Sequence, residues 1–434
     1  MFFQRIVVSL LSTYFLTTKI MVFIFVFLIG LLCFEASATE DELLAVVVIY
    51  RHGDRTPVKP YPTDPYRNQS YWPVDFGQLT NLGKERQLEL GQWLRKRYDG
   101  FLSSNYSEKD IYVRSTDVDR TLMSAAANLA GLYPPVSNQV WDKNINWQPI
   151  PIHTTPEIQD ALLAGKKPCP KYEKLQKLLF RSEYFRNISH QNHDLYAYLT
   201  RYSGETISNL ETTEYLYNTL MIETIYNYTL PEWATKVFPR KLEPLAFLSF
   251  ATQTFTPQLA RLKTGPLFNH IISFFQNRTT KVSDTPKFLV FSAHDTTIAN
   301  VLNTMGAFQY HAPPYASSIL MELRKRNNGR NYVNLLYKNS SAPKEINLKN
   351  CDFNCDLANF ISILKPITID LKEWEVECQP KWTSGWPIDF QWNIIIGCSI
   401  FTMILLAFGL VLSLKKSKQQ KENDYVKLPN EEYS

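Results

Sequence analysis

Seven consecutive residues, Arg51-His52-Gly53-Asp54-Arg55-Thr56-Pro57, set two guanidiniums around one imidazole. Guanidinium forks match phosphate oxygens two at a time, and an imidazole held between them is a nucleophile for a phosphoryl group. Two other places offer partners for such chemistry. Arg114 lies in Val113-Arg114-Ser115-Thr116-Asp117-Val118-Asp119-Arg120-Thr121, and Ser292-Ala293-His294-Asp295-Thr296-Thr297 adds a histidine and a carboxyl. Phosphoryl transfer needs charge neutralisation and an aligned nucleophile above all. Arg51, Arg55 and Arg114 would form a three-guanidinium clamp, with His52 as the nucleophile. His294 would hydrogen-bond the transferred group, and Asp295 would give a proton to the leaving alkoxide. Nearby positive charge disfavours a second one, so the pKa of His52 should fall and its lone pair should stay free in an acidic medium. This chemistry calls for no metal and no cofactor, and no spacing of His and acidic residues suits metal ligation. Taken alone, the 51–57 run also reads as a solvated basic turn. Asp54 reads equally as a partner of the arginines or as a turn stabiliser. His153, His190, His193, His270 and His311 sit in no comparable context and are read as structural.

Elements must carry these groups to one place. Leu43 to Tyr50 is an unbroken apolar, β-branched run, which reads as a strand buried on both faces in a parallel sheet. Ligands of α/β proteins bind beyond the carboxyl ends of such strands, where Arg51 and His52 fall. The short run Ile111-Tyr112-Val113 delivers Arg114, and Lys287 to Phe291 delivers His294 and Asp295. If the three strands are neighbours, all five side chains converge on one rim. A helix is expected from Thr80 as cap, with Gly100 able to end it. A second is expected after the caps Ser115, Thr116 and Asp117, running to about Leu132, and a third from about Thr296. Residues 319–323 and 332–337 read as late strands. The middle, about 150–284, opens with closely spaced prolines and continues with helical patterning, so it reads as a mainly helical inserted cap.

The two ends bear on the compartment. Lys19, the apolar block Val22 to Phe34 and Ala36-Ser37-Ala38 have the order of a secretory signal, residues 1–38, with a cut after Ala38. A retained N-terminal anchor is the competing reading, and Met21 is an alternative start. Ile394 to Leu414 is uncharged and long enough as a helix to span roughly 30 Å of bilayer core. Trp386 and Trp392 stand at its entry, and Lys415, Lys416 and Lys418 follow it, which places that side in the cytoplasm. The expected organisation is therefore a lumenal domain over 39–391, a transmembrane helix over 392–414 and a tail over 415–434. Six sequons, at Asn68, Asn105, Asn187, Asn227, Asn277 and Asn339, all fall between signal and span. Of six cysteines, Cys33 lies in the leader and Cys398 in the span. That leaves Cys169, Cys351, Cys355 and Cys378, which suit an oxidising compartment and allow three pairings. Cys351 and Cys355 are close enough to pair locally or to begin a metal site, though no histidine lies nearby. The formal net charge of +5 is spread along the chain, which gives nucleic-acid binding no support. In the tail, Tyr425-Val426-Lys427-Leu428 matches the tyrosine-based pattern that clathrin adaptors read.

The Arg-His-Gly-x-Arg-x-Pro run, the segment around Arg114 and the Ser-Ala-His-Asp run together resemble the histidine acid phosphatases, most nearly the lysosomal and prostatic type. The likeness extends over about Glu42 to Pro380, including Trp147-Gln148-Pro149-Ile150-Pro151 and Pro313-Pro314-Tyr315-Ala316-Ser317. It implies a phosphoglycerate-mutase-like α/β fold: a three-layer core, an inserted helical cap and, here, one C-terminal transmembrane helix. It implies hydrolysis of phosphomonoesters at acid pH through phosphorylated His52, with His294 as a phosphate ligand and Asp295 as proton donor. It also implies frequent inhibition by tartrate and a common homodimeric state. By the same analogy Cys169 pairs with Cys378 and Cys351 with Cys355. A further disulfide of such relatives falls at Ile222 and Ser318, where both cysteines are absent. A lysosomal membrane enzyme of type I topology is the leading expectation. Residence at or transit through the plasma membrane, as an ecto-phosphatase or nucleotidase, is the alternative. A catalytically inactive trafficking or adhesion protein is disfavoured by the intact set of residues.

Overall fold

The computed structural model describes Met21 and residues 41–280, 286–339, 341–379 and 388–425. The rest of the expected leader, with Ala36-Ser37-Ala38, lies outside the described residues, as do Trp386 and Leu428. The chain divides into two units, residues 1–378 and 379–434.

The first unit is built on one mixed sheet. Strand β1 (Glu42–Arg51), β2 (Ile111–Ser115) and β3 (Phe288–Ala293) run parallel in the spatial order β2-β3-β1. β4 (Ser318–Lys325) and β5 (Asn331–Lys338) continue the sheet antiparallel beyond β1. A short β6 (Lys344–Ile346) and a two-residue β7 (Cys355–Asp356) pair with β5. The unbroken apolar character of β1 has its cause in its central place. Val46, Val48 and Tyr50 face one helical layer, packing with Leu90 and Leu94 of α1 (Asn81–Arg97) and Ala125 and Leu129 of α2 (Asp119–Leu132). Ala45, Val47 and Ile49 face the other.

Between these layers the middle of the chain divides. Helices α3 (Pro170–Phe180), α4 (Glu183–Gln191), α5 (His193–Ser203), α6 (Leu210–Ile225) and α7 (Glu243–Thr252) come first. Phe185, Tyr196, Leu199, Leu216, Tyr217, Leu220 and Leu245, drawn from α4 to α7, form a cluster of their own. The next helix, α8 (Pro257–Thr279), places Phe268, Ile271 and Phe275 against the sheet, so it belongs to the core layer rather than to the cap. Beside it lie Ile298 and Val301 of α9 (Asp295–Thr304) and Phe360 of α10 (Leu357–Leu364). Helices thus cover both faces of the sheet, the arrangement that buries parallel strands completely.

Two disulfides staple the unit. Cys169–Cys378 joins the start of α3 to the end of α11 (Leu371–Cys378) across 209 residues, and Cys351–Cys355 closes a local turn. Ile222 and Ser318, where the third bridge is missing, are both buried. The sequon asparagines Asn68, Asn187, Asn227 and Asn277 are exposed, and Asn105 and Asn339 are half-buried. In the second unit a single helix, α12 (Ile388–Tyr425), contains Ile395–Gln420, whose most apolar 18-residue stretch has mean hydropathy 2.6, long and apolar enough to cross a membrane.

Candidate active site

Register decides where the chemistry sits. Arg51 on β1 pairs with Ala293 on β3, and Ser115 on β2 pairs with Ser292, so the three parallel strands end level with one another. His52 N–H donates to the Ala293 carbonyl at 2.9 Å and Thr116 N–H to the Ser292 carbonyl at 3.1 Å, which carries the alignment one residue past the strands. Gly53 makes the next step possible. A Cβ there would lie 2.1 Å from the Gly83 carbonyl oxygen, so only glycine lets the loop press onto the first turn of α1. Thr80 caps that turn as expected, accepting from Gly83 N–H at 3.2 Å.

His52 is almost fully buried. Its Nδ1 lies 2.8 Å from the Gly53 carbonyl, an oxygen that can only accept, so Nδ1 carries the proton and Nε2 keeps the lone pair. Burial first, then the charges of Arg51, Arg120, His294 and Arg55, hold its pKa well below the usual histidine value. Arg51 is fixed on three sides. It donates to the Pro313 carbonyl at 2.5 Å, pairs with Asp295 at 2.8 Å and lies 3.9 Å from the centre of the Tyr315 ring. The loop supplying these contacts is strained at Ala316, whose φ is 57°, while its N–H donates to the His52 carbonyl.

His294 is the N-cap of α9 and Asp295 its first residue, where a negative charge is favoured. Thr116 Oγ1 lies 3.0 Å from His294 Nε2 and Arg120 Nη2 3.5 Å from Nδ1. Burial, then Arg120, bring the His294 pKa down to about 3. Burial opposes ionisation of Asp295, but Arg51, with Arg55 and His294, outweighs it and keeps the carboxyl below its usual range. Arg114 stands at the same rim, bonded to Asp160 at 3.0 Å and to Thr155 at 3.2 Å. Asp54 pairs with Arg86 of α1 at 3.2 Å, and Arg51 also acts on its charge.

Arg120 and Tyr315 are site residues that the sequence reading left without a role, and Thr116, read there only as a helix cap, is a third. The helix expected directly after Ser115, Thr116 and Asp117 begins one residue later, at Asp119, with Val118 as an N-cap that makes no side-chain bond. Ser115 and Thr116 are spent on other contacts, and Arg120 falls in the first turn of α2. Glu214 of α6 was missed as well. Burial, with Asp295 and Glu211 adding, raises it to about 8.

One observation gathers the guanidiniums. Among the described residues, four arginines have a buried Nε–H without a partner, and they are Arg51, Arg55, Arg114 and Arg120. Buried donors left open in this way cost stability unless an acceptor arrives. An anion with several oxygens, such as a phosphate group, meets that need.

Comparison with known proteins agrees with this geometry. The pattern of the histidine phosphatase superfamily (branch 2) matches residues 42–338. Lysosomal acid phosphatase of Xenopus laevis is 38% identical over 400 residues, which cover 91% of each chain. Lysosomal acid phosphatase of Homo sapiens is 38% identical over 379 residues, covering 85% of this chain and 88% of that one. Prostatic acid phosphatase of Homo sapiens is 37% identical over 351 residues, covering 79% of this chain and 90% of that one. Among solved structures, the phytase from Citrobacter braakii shares the fold with a TM-score of 0.58 at 19% identity, covering 78% of this chain and 99% of the phytase. The chain belongs to the histidine phosphatase superfamily.

Proposed function

We propose that this protein hydrolyses phosphate monoesters at acid pH by passing the phosphoryl group through His52, in the lumen of the lysosome. The observation that carries the reading is the state of His52: unprotonated at Nε2, fixed at Nδ1 and surrounded by guanidiniums with open donors. The phosphate dianion binds among Arg51, Arg55, Arg114 and Arg120, with His294 alongside. His52 Nε2 attacks phosphorus, the bond to the ester oxygen breaks, and the leaving alkoxide takes a proton from Asp295. Asp295 is ionised in the resting site, and the bound dianion raises its proton affinity, so it loads a proton as substrate enters from an acidic medium. Water then attacks the phosphohistidine, Asp295 takes back a proton, and inorganic phosphate leaves.

The finer parts of the reading follow from the ends of the chain and its surface. α12 anchors the enzyme in the lysosomal membrane in type I orientation, and the Tyr425 to Leu428 segment engages a clathrin adaptor. A homodimer is part of the reading, supported by the exposed Val140, Trp141, Ile145 and Trp147 in one stretch. The test of the activity is a pH profile of the purified chain on an aryl phosphate, with trapping of the phosphoenzyme by an alkaline quench, in which a phosphohistidine survives. An acid optimum and label on His52 are expected. Activity with no label on His52 would sink the mechanism. Tyr425→Ala should shift the protein towards the cell surface, and an unchanged distribution would remove the adaptor from the account.

A further inference from the structure

A group of basic side chains beside the phosphate site has no part in the mechanism above. The loop over 160–167 is wound around Asp160, whose carboxylate accepts from the N–H groups of Leu162 at 2.9 Å, Leu163 at 3.0 Å and Ala164 at 3.1 Å. The same carboxylate holds Arg114, so the loop is fixed to the rim of the phosphate site. Its far end carries Lys166, which is exposed and makes no ion pair among the described residues. The positive charge of Lys166 reaches both His294 and Lys263.

Lys263 comes from α8. Its Nζ donates to the Gly165 carbonyl at 3.1 Å and lies 5.6 Å from the centre of the Tyr172 ring. Gly165 makes room for it. With φ at +56°, a Cβ there would come within 3.2 Å of Lys263 Nζ. No carboxylate pairs with this ammonium among the described residues. Burial, then Lys166, lower its pKa to about 8, so it is fully charged at acid pH. On the same side His270 is lowered by burial and then by Arg114. The acids nearby are already engaged. Asp160 is taken by Arg114 and the loop, Glu157 acts on Arg120, and Glu375 pairs with Lys167 at 2.5 Å. A half-buried ammonium that feels the charge of a second one, and has only a carbonyl and an aromatic ring as partners, is an unfavourable arrangement that a bound anion relieves.

We propose that Lys166 and Lys263 form a second anion subsite beside the phosphoryl site, and that the favoured substrates carry a second phosphate group near the one removed. This rests on the phosphatase reading, and names the substrate class that the site prefers. The first phosphate occupies the arginine clamp, and the second lies towards the 160–167 loop, between the two ammonium groups. A simple aryl or alkyl monoester fills only the clamp.

The test is steady-state kinetics of the full-length chain in detergent at acid pH, with glucose 6-phosphate, glucose 1,6-bisphosphate and an aryl phosphate side by side. The bisphosphate is expected to show a KM lower than the monophosphate by roughly tenfold, the worth of one charge-assisted contact. Lys263→Gln should abolish that advantage while aryl phosphate kinetics stay within about twofold, and Lys263→Arg should restore it. Lys166→Gln, at an exposed position where folding is safe, should give the same loss of KM discrimination. Equal KM values for the two sugars in the unaltered chain would overturn the subsite, as would a Lys263→Gln variant that loses aryl phosphate turnover in proportion. Absence of aryl phosphatase activity in the unaltered chain would overturn the underlying reading as well.

Discussion

Two buried clusters of ionisable groups in the same unit handle charge in opposite ways. At the sheet rim, cations are in excess. Arg51, Arg55 and Arg120 surround two histidines, which stay neutral, and Asp295, which stays charged. Between the 57–73 loop and α6, the surplus is acidic. Glu223 and Asp64 are buried and share a side-chain hydrogen bond, and the charge acting on Glu223 is that of Asp64. Burial, then Asp64, raise Glu223 to about 8, while Arg67 only partly offsets the burial of Asp64. The acidic cluster reaches a tolerable state by keeping a proton on Glu223. The cationic one cannot neutralise arginine, so it remains charged and open to an anion. Buried charge of one sign marks a site that receives a ligand, and buried acid of the other marks a packing contact tuned to low pH.

Breaking the cationic side at its centre should have the largest effect. His52→Ala is expected to lower aryl phosphate turnover on the order of 10⁴-fold, since the nucleophile is lost while binding remains. Arg120→Met should reduce kcat/KM by roughly 10²- to 10³-fold, the usual cost of removing one transition-state donor. It should also move the acid limb of the pH profile upwards, because less positive charge bears on His52 and His294. A loss of activity with an unmoved limb would deny Arg120 its electrostatic role. Asp295→Asn should cost about 10²-fold with alkyl phosphates and much less with good aryl leaving groups. Equal losses in the two series would take the proton-donor role away from it.

The acidic side predicts a smaller and different signature. Because the folded value of Glu223 is raised, the native state holds a proton that the unfolded state releases between about 4.5 and about 8. Stability is therefore greatest below that window and falls as pH rises through it. The Tm of the chain should drop by several degrees between pH 5 and pH 8, and Glu223→Gln should flatten the slope. A Tm that rises over this range, or a slope that Glu223→Gln leaves intact, would contradict the assignment.

Much of this was legible because β1 and β3 need no partner to declare themselves. A strand covered by helices on both sides must be apolar at every position, and Val46 to Ile49 and Phe288 to Phe291 are. Thr80 was legible as a cap for a similarly local reason. What failed to show was whatever depends on contacts between distant segments. Ser115 and Thr116 look like caps, yet the sheet and His294 claim them, which shifted the start of α2. Tyr315 is an ordinary loop tyrosine until Arg51 lies against it. Glu214 and Glu223 carry no signal of their own in the sequence, and only the packing of α6 against its neighbours buries them. The long helix α8 has no feature in its own composition that separates it from the cap helices. Its partner, the sheet, makes the distinction.

The spatial order β2-β3-β1 also bears on how the enzyme is made. β1 lies between β3 and β4, both of which come from beyond residue 287. As the chain is synthesised, β1 has no neighbour until most of the first unit has been made, and His52 has neither His294 nor Asp295. A nascent chain must keep a fully apolar strand out of wrong pairings for that interval. The site is therefore assembled late, only when most of the first unit has been synthesised.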